Sequence, residues 1–214
     1  NFTPPENMRA RLRSFISFEM LAKLPFATNL FFVLMPIVCV MYASKDYATG
    51  YLKNYLVMQN AKNKWLLSKM LTLPAILILF YIGIFLASAI GTLVLKNPFP
   101  ESYADILSYI AKMSLPGIAF ALFSLFLTVA FQSKTASLIV TLLLSFSLQT
   151  IIYALIDSIN FLPFKLRDYA FVSLTRKLSV SGEFPPNLVI VSAAVAVLSI
   201  ALSFIVMNRR DLKI

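Results

Sequence analysis

The 214-residue chain is 59% hydrophobic and 13% charged, against roughly 45–50% apolar and about 25% charged residues in a soluble domain. With a mean hydropathy of +0.82 it holds more apolar surface than a water-borne globule can hide, whereas a bilayer accepts it directly. The net charge of +10 would suggest nucleic acid on a soluble protein. Here the basic residues fall mostly between apolar runs, where they orient helices and meet anionic headgroups, so no nucleic-acid partner is expected.

Residues 1–25 open with a turn-like NFTPPEN, after which Arg9, Arg11 and Arg13 alternate with Phe15, Ile16, Phe18, Met20 and Leu21. That pattern predicts a short amphipathic helix over 8–24, too charged to span. It suits either the membrane interface or a simple connector. Five runs are long enough to cross, given about 20 apolar residues at 1.5 Å each: 26–44, 71–95, 108–131, 137–159 and 188–207. Pro36, Pro74 and Pro116 lie within or beside these runs, and such residues are tolerated where neighbouring helices or water satisfy the freed carbonyls. The connection 133–136 is a tight turn. The connection 160–186 is long, carries Pro163, Pro185 and Pro186, and is expected to fold back on the membrane face as short helices.

Between the first two runs lies a polar, lysine-rich interval, 45–69. Tyr47, Tyr51 and Tyr55 recur every four residues and Met58 follows three later, which is one face of a helix. Roughly 12 residues, about 18 Å, would lie along the membrane surface, with Lys53 and Asn54 projecting elsewhere. Gly50, lacking a Cβ, permits a turn or a close backbone approach. The stretch 60–63 is expected to end this helix, and Trp65 to anchor the next span at headgroup level. The tyrosines meet either a partner in water or lipid.

Within the spans, Ser137, Thr141, Ser145 and Gln149 recur every four residues and fan over one broad face by about 40° per step. They form a substrate path or a seam between two subunits, unless their hydroxyls simply bond their own helix or a neighbour. Lys112, near the outer end of the third run, marks either a pathway or a side chain snorkelling to the headgroups. Ser192, Ala196, Ser199 and Ser203 read as a packing stripe.

What is missing narrows the chemistry further. There is no histidine, so His-based triads, His-ligated metals and imidazole acid–base catalysis are excluded. The five glycines at 50, 83, 91, 117 and 182 make no phosphate-cradling loop before Lys-Ser/Thr, so the chain holds no P-loop for ATP. Asp157 stands alone near the end of its run, without the partner an intramembrane carboxylate dyad needs. Paired intramembrane charges and a visible inverted repeat are lacking, which disfavours a secondary transporter. The single Cys39 cannot form an intramolecular disulfide. Neither an enzyme nor a metalloprotein is expected.

Orientation by charge alone ties. With the C-terminus inside, nine basic residues fall in the inner loops and nine in the outer segments, and the acidic residues do not enter that rule.

Three stretches together carry a resemblance. Asp46-Tyr47-Ala48-Thr49-Gly50-Tyr51-Leu52-Lys53 with Leu67-Ser68-Lys69, then Gln132-Ser133-Lys134-Thr135-Ala136, then Asn208-Arg209-Arg210-Asp211-Leu212 resemble, in order and spacing, the type-2 ABC transporter permease family. In particular the chain is similar to small Gram-positive peptide exporters and immunity permeases of the phenol-soluble modulin exporter type. The likeness runs from about residue 26 to the end. It implies an all-α exporter-type bundle, residues 1–214 forming one permease domain, with 45–69 as a cytoplasmic coupling segment and 1–25 and 160–186 extracytoplasmic. The family has six spans and this chain shows five. The first is therefore expected upstream, in keeping with a chain that does not begin with Met.

The resemblance further implies two cytoplasmic ABC ATPase subunits that carry ATP and Mg²⁺, a second permease, identical or related, and an amphipathic or hydrophobic peptide cargo in a bacterial plasma membrane. This chain itself would bind no cofactor. Asp46, Tyr47, Gly50, Tyr51, Lys53, Tyr55 and Met58 would form the ATPase-coupling surface. The rival reading is a membrane adaptor that uses the same helix only for docking.

Overall fold

The computed structural model describes residues 17–49, 61–97, 99–100, 102–146, 148–159, 165–181 and 184–209. In chain order these form α1 (Phe18–Ala27), α2 (Leu30–Ala48), α3 (Ala61–Leu95), α4 (Ala104–Phe131), α5 (Lys134–Ser145), α6 (Leu148–Asp157), a 3-10 turn (Leu166–Tyr169), α7 (Phe171–Ser181) and α8 (Pro186–Arg209), with no strand among the described residues. By length and composition α2, α3, α4 and α8 can each cross a membrane, and α5 with α6 makes a fifth span when the bent pair is counted as one. The chain is an all-helical membrane protein.

The bundle is organised around α4. Its lower half is small and apolar by turns, and Gly117, Ala119, Ala121, Ser124, Thr128 and Val129 are all buried. Helices α8, α2, α3 and α5 pack around it. Ser124 and Thr128 return their hydroxyls to the carbonyls of Phe120 and Ser124, each at 2.8 Å. Their polar atoms are thus satisfied within the helix and leave a smooth surface for a neighbour. Ser192, Ser199 and Ser203 of α8 are likewise buried, while Ala196 is half-buried. At Gly117 a Cβ would stand 2.9 Å from Leu77 Cδ1 and 3.2 Å from the Tyr81 hydroxyl, so the absent methyl is what lets α3 approach.

Four features depart from the reading of the sequence. The first run is two helices. Asn29 adopts a left-handed backbone, φ 60°, which Asn tolerates better than most residues. The chain turns there, and α1 lies back along the Leu95 end of α3. Phe18 meets Phe85, Phe99 and Tyr103 at ring separations of 5.3, 6.1 and 5.8 Å. Residues 18–25 are therefore packed against the bundle, beyond a simple interfacial role, while 1–16 lie outside the described residues.

Second, α3 begins at Ala61, so 61–63 start a helix where a break was expected. At 35 residues it is about 52 Å long, well beyond a hydrocarbon core of roughly 30 Å. Its exposed apolar side chains, from Leu71 to Val94, mark the part that meets lipid.

Third, the run 137–159 is bent by 62° between Ser145 and Leu148. Fourth, the long connection does form short helices, but α7 does not rest on a surface. Phe171, Leu174, Thr175 and Leu178 are all buried. The Phe171 ring stacks on Phe120 at 5.5 Å and meets Phe32 edge-on at 5.9 Å. Asp157 accepts a hydrogen bond from the Leu166 backbone N–H at 2.8 Å, tying the end of α6 to the 3-10 turn that precedes α7.

Candidate functional site at the base of the polar segment

The last turns of α2 and the first turns of α3 stand side by side. Tyr42 and Asp46 are four apart on α2, and Trp65 and Lys69 are four apart on α3, so each pair shares a helix face. The four side chains interlock. Asp46 Oδ2 accepts from Trp65 Nε1 at 2.6 Å and pairs with Lys69 Nζ at 2.8 Å. The lysine ammonium lies 3.9 Å from the Tyr42 ring centroid and 3.5 Å from the Tyr42 carbonyl oxygen. Trp65 is 4% exposed and Lys69 7%.

The electrostatics explain why these residue types meet here. A carboxylate in the last turn of α2 faces that helix's own negative end. Lys69 offsets this directly, the opening turns of α3 supply a positive end, and the indole N–H adds a charge-assisted hydrogen bond worth about 1.5–3 kcal/mol. The lysine in turn gains an aromatic face at cation–π distance. A charge pair this dry is costly to break, because removing either member strands the other. The pair joins two helices, whereas Glu19 and Lys23 pair within α1.

Tyr47 completes the cluster. Its ring packs edge-on against Trp65 at 5.6 Å, and its hydroxyl is buried without a hydrogen-bond partner among the described residues. Asp46 and Tyr47 thus turn toward α3 and act within the chain. Gly50, Tyr51, Lys53, Tyr55 and Met58, with the tyrosine-spaced helix predicted for them, lie outside the described residues. Trp65 is not a headgroup anchor: its indole nitrogen is spent on Asp46. The sequence reading passed over Tyr42 and used Lys69 only as a motif end. The matched spacing of Tyr42–Asp46 and Trp65–Lys69 across one loop was the available signal.

The polar row of the fourth span splits. Ser137, Thr141 and Ser145 are buried and donate to the carbonyls of Ser133, Ser137 and Thr141 at 2.7, 2.6 and 2.8 Å. Ser137 also lies 3.3 Å from the Leu127 carbonyl of α4. The row faces α2 and α4 inside one chain, with its hydroxyls returned to its own backbone. Gln149 sits beyond the bend, on a different helix axis. Lys112 is exposed on α4 and so borders no interior path within this chain. Among the described residues no group of three or more His, Cys, Asp or Glu could hold a metal ion.

A family model described as a protein of unknown function, DUF2705, matches residues 5–213, so the chain belongs to that family. No curated protein and no solved structure matches it.

Proposed function

We propose that this member of the DUF2705 family is the membrane-spanning permease of an ATP-driven exporter of the type-2 ABC kind. In this reading it pairs with a second permease and with two cytoplasmic ATPase chains in a bacterial plasma membrane. The cargo is an amphipathic or hydrophobic peptide, taken from the cytoplasm or the inner leaflet. The observation that supports it is the clasp of Asp46, Trp65 and Lys69. The stems of the polar segment 45–69, one on α2 and one on α3, are pinned together by this ion pair. Force applied to that segment would reach α2 and α3 together and would not be lost in a slack loop. Closure of two ATPases on ATP is the kind of ligand-biased, two-state event that such a lever would convert into helix movement. The order of the three sequence stretches supports the same reading.

The test is gentle solubilisation of the full chain with its genomic neighbours expressed. An ATPase chain should co-purify, and cargo peptide should raise its hydrolysis rate. Substituting Gly50 and Tyr51 should abolish that stimulation while membrane insertion survives. If no ATPase is retained under any mild condition, the exporter reading fails. An ATPase retained without any cargo response points instead to the adaptor.

A further inference from the structure

The bend in the fourth span, α5 with α6, lies about 18 Å along the helix from Lys134, well away from either end of the span. A break at such a depth leaves the last carbonyls of α5 and the first amides of α6 without helical partners. Hydrocarbon does not tolerate that, whereas protein walls or a lined cavity do. A cavity of about 180 Å³ lies at this place, lined by Phe120, Phe123, Leu144, Gln149, Tyr153, Phe171 and Val195. Five helices contribute, and three of the seven lining residues are phenylalanines. Phe120 and Phe171 are stacked at 5.5 Å, and Phe123 packs 6.3 Å from Phe120. Thr150 and Ser173, 3.1 Å apart, fasten α6 to α7 beside it.

Two polar heads interrupt this aromatic lining. Gln149 and Tyr153 stand on one face of α6, and neither side chain has a hydrogen-bond partner among the described residues. An apolar cavity with a few placed polar groups is the usual form of a small-ligand site. Its size matches one large apolar side chain. An acyl chain would fill the space but leave the Gln149 amide unanswered. A peptide brings both an apolar side chain and, beside it, an amide that can donate and accept.

We propose that the cavity at the bend of the fourth span receives one large apolar side chain of a peptide, aromatic by preference, while Gln149 hydrogen-bonds the peptide's adjoining amide. The peptide as ligand rests on the exporter reading above; the cavity and its chemistry do not.

The experiment measures binding alone, with the full chain in lipid nanodiscs and no ATPase. The probe is a fluorescein-labelled amphipathic peptide of Leu and Lys with one central Phe, followed by anisotropy. Replacing the peptide's Phe by Ala, or filling the cavity with Val195→Trp, should each weaken binding roughly tenfold or more, and Gln149→Leu should weaken it by about the same factor. Each variant is first checked for an unchanged unfolding midpoint, and Leu144→Phe replaces Val195→Trp if the latter fails to fold. The proposal is overturned if the native chain does not bind the peptide, or if the cavity variants bind it as the native chain does. It is overturned equally if native mass spectrometry finds a lipid that Val195→Trp expels while peptide affinity stays unchanged. Peptide binding with these sensitivities but no co-purifying ATPase would sink the exporter reading and leave the cavity assignment standing.

Discussion

Asp46 and Lys69 answer each other across two helices, and their energetics are asymmetric in a testable way. Asp46→Leu strands an ammonium that keeps the Tyr42 ring and carbonyl and, at 5.8 Å, the Trp65 ring. Lys69→Met leaves a carboxylate that is 19% exposed and still bonded to the indole. The first change should cost about 2–4 kcal/mol and the second less. Converting both together, Asp46→Leu with Lys69→Met, should recover most of the loss, because two apolar side chains of similar volume need no compensation. Denaturant unfolding of the four proteins in micelles gives the coupling energy. A value near zero would mean that the pair is incidental. Tyr47→Phe is the complementary case. Its hydroxyl is buried and unpartnered, so its removal should be neutral or stabilise by up to about 1 kcal/mol. A clear loss of stability would show that the hydroxyl meets a group beyond the described residues. The sequence displayed Asp46 and Tyr47 as candidates for a partner's surface. Only the approach of α3 turned them inward, since which way a side chain at a helix end points is settled by its neighbour.

Between elements, contacts depend on small residues and on α7. Gly117→Ala brings a methyl against the far end of Leu77, a flexible group, and should cost under about 1 kcal/mol. Gly117→Val adds branching at χ1 as well and should cost about 1–3 kcal/mol. Phe171→Ala should be more damaging, by about 2–4 kcal/mol, because it empties a site walled by Phe32 and Phe120 and the cavity term survives even where lipid weakens the transfer term. Comparable unfolding midpoints for Phe171→Ala and the native chain would show that α7 does not pack as described. The stretch 160–186 read as a surface connection because its prolines and charges dilute its apolar content. The buried set Phe171, Leu174 and Leu178 does have helical spacing, but periodicity alone cannot say whether an apolar stripe meets lipid or protein. The same ambiguity hid the bend at 146, since the run 137–159 keeps its hydropathy straight through it.

On the scale of the whole molecule, the expected orientation puts Lys64 on the cytoplasmic face and Lys165 on the opposite one. The native chain offers a clean background for a labelling test, because its one cysteine, Cys39, is 1% exposed. A membrane-impermeant maleimide should leave the native chain unlabelled. It should label Lys64→Cys only in inside-out vesicles and Lys165→Cys only in right-side-out ones. The reverse pattern would place the Asp46–Lys69 clasp outside the cell and end the proposal that the segment it pins meets an ATPase.

Composition and apolar run length by themselves determined that the chain is a helical membrane protein, and they located the five runs. A bilayer leaves so few ways to satisfy the backbone that some 20 apolar residues in a row specify a crossing helix almost alone. Only the tertiary structure decided that the first run breaks at Asn29, that the fourth bends around an aromatic cavity, that α7 enters the core, and that Asp46, Trp65 and Lys69 close the base of the segment between α2 and α3. Each of these depends on contacts between residues distant in the chain. In a membrane, where lipid is as apolar as leucine, hydropathy does not distinguish a side chain that faces lipid from one that faces its own protein.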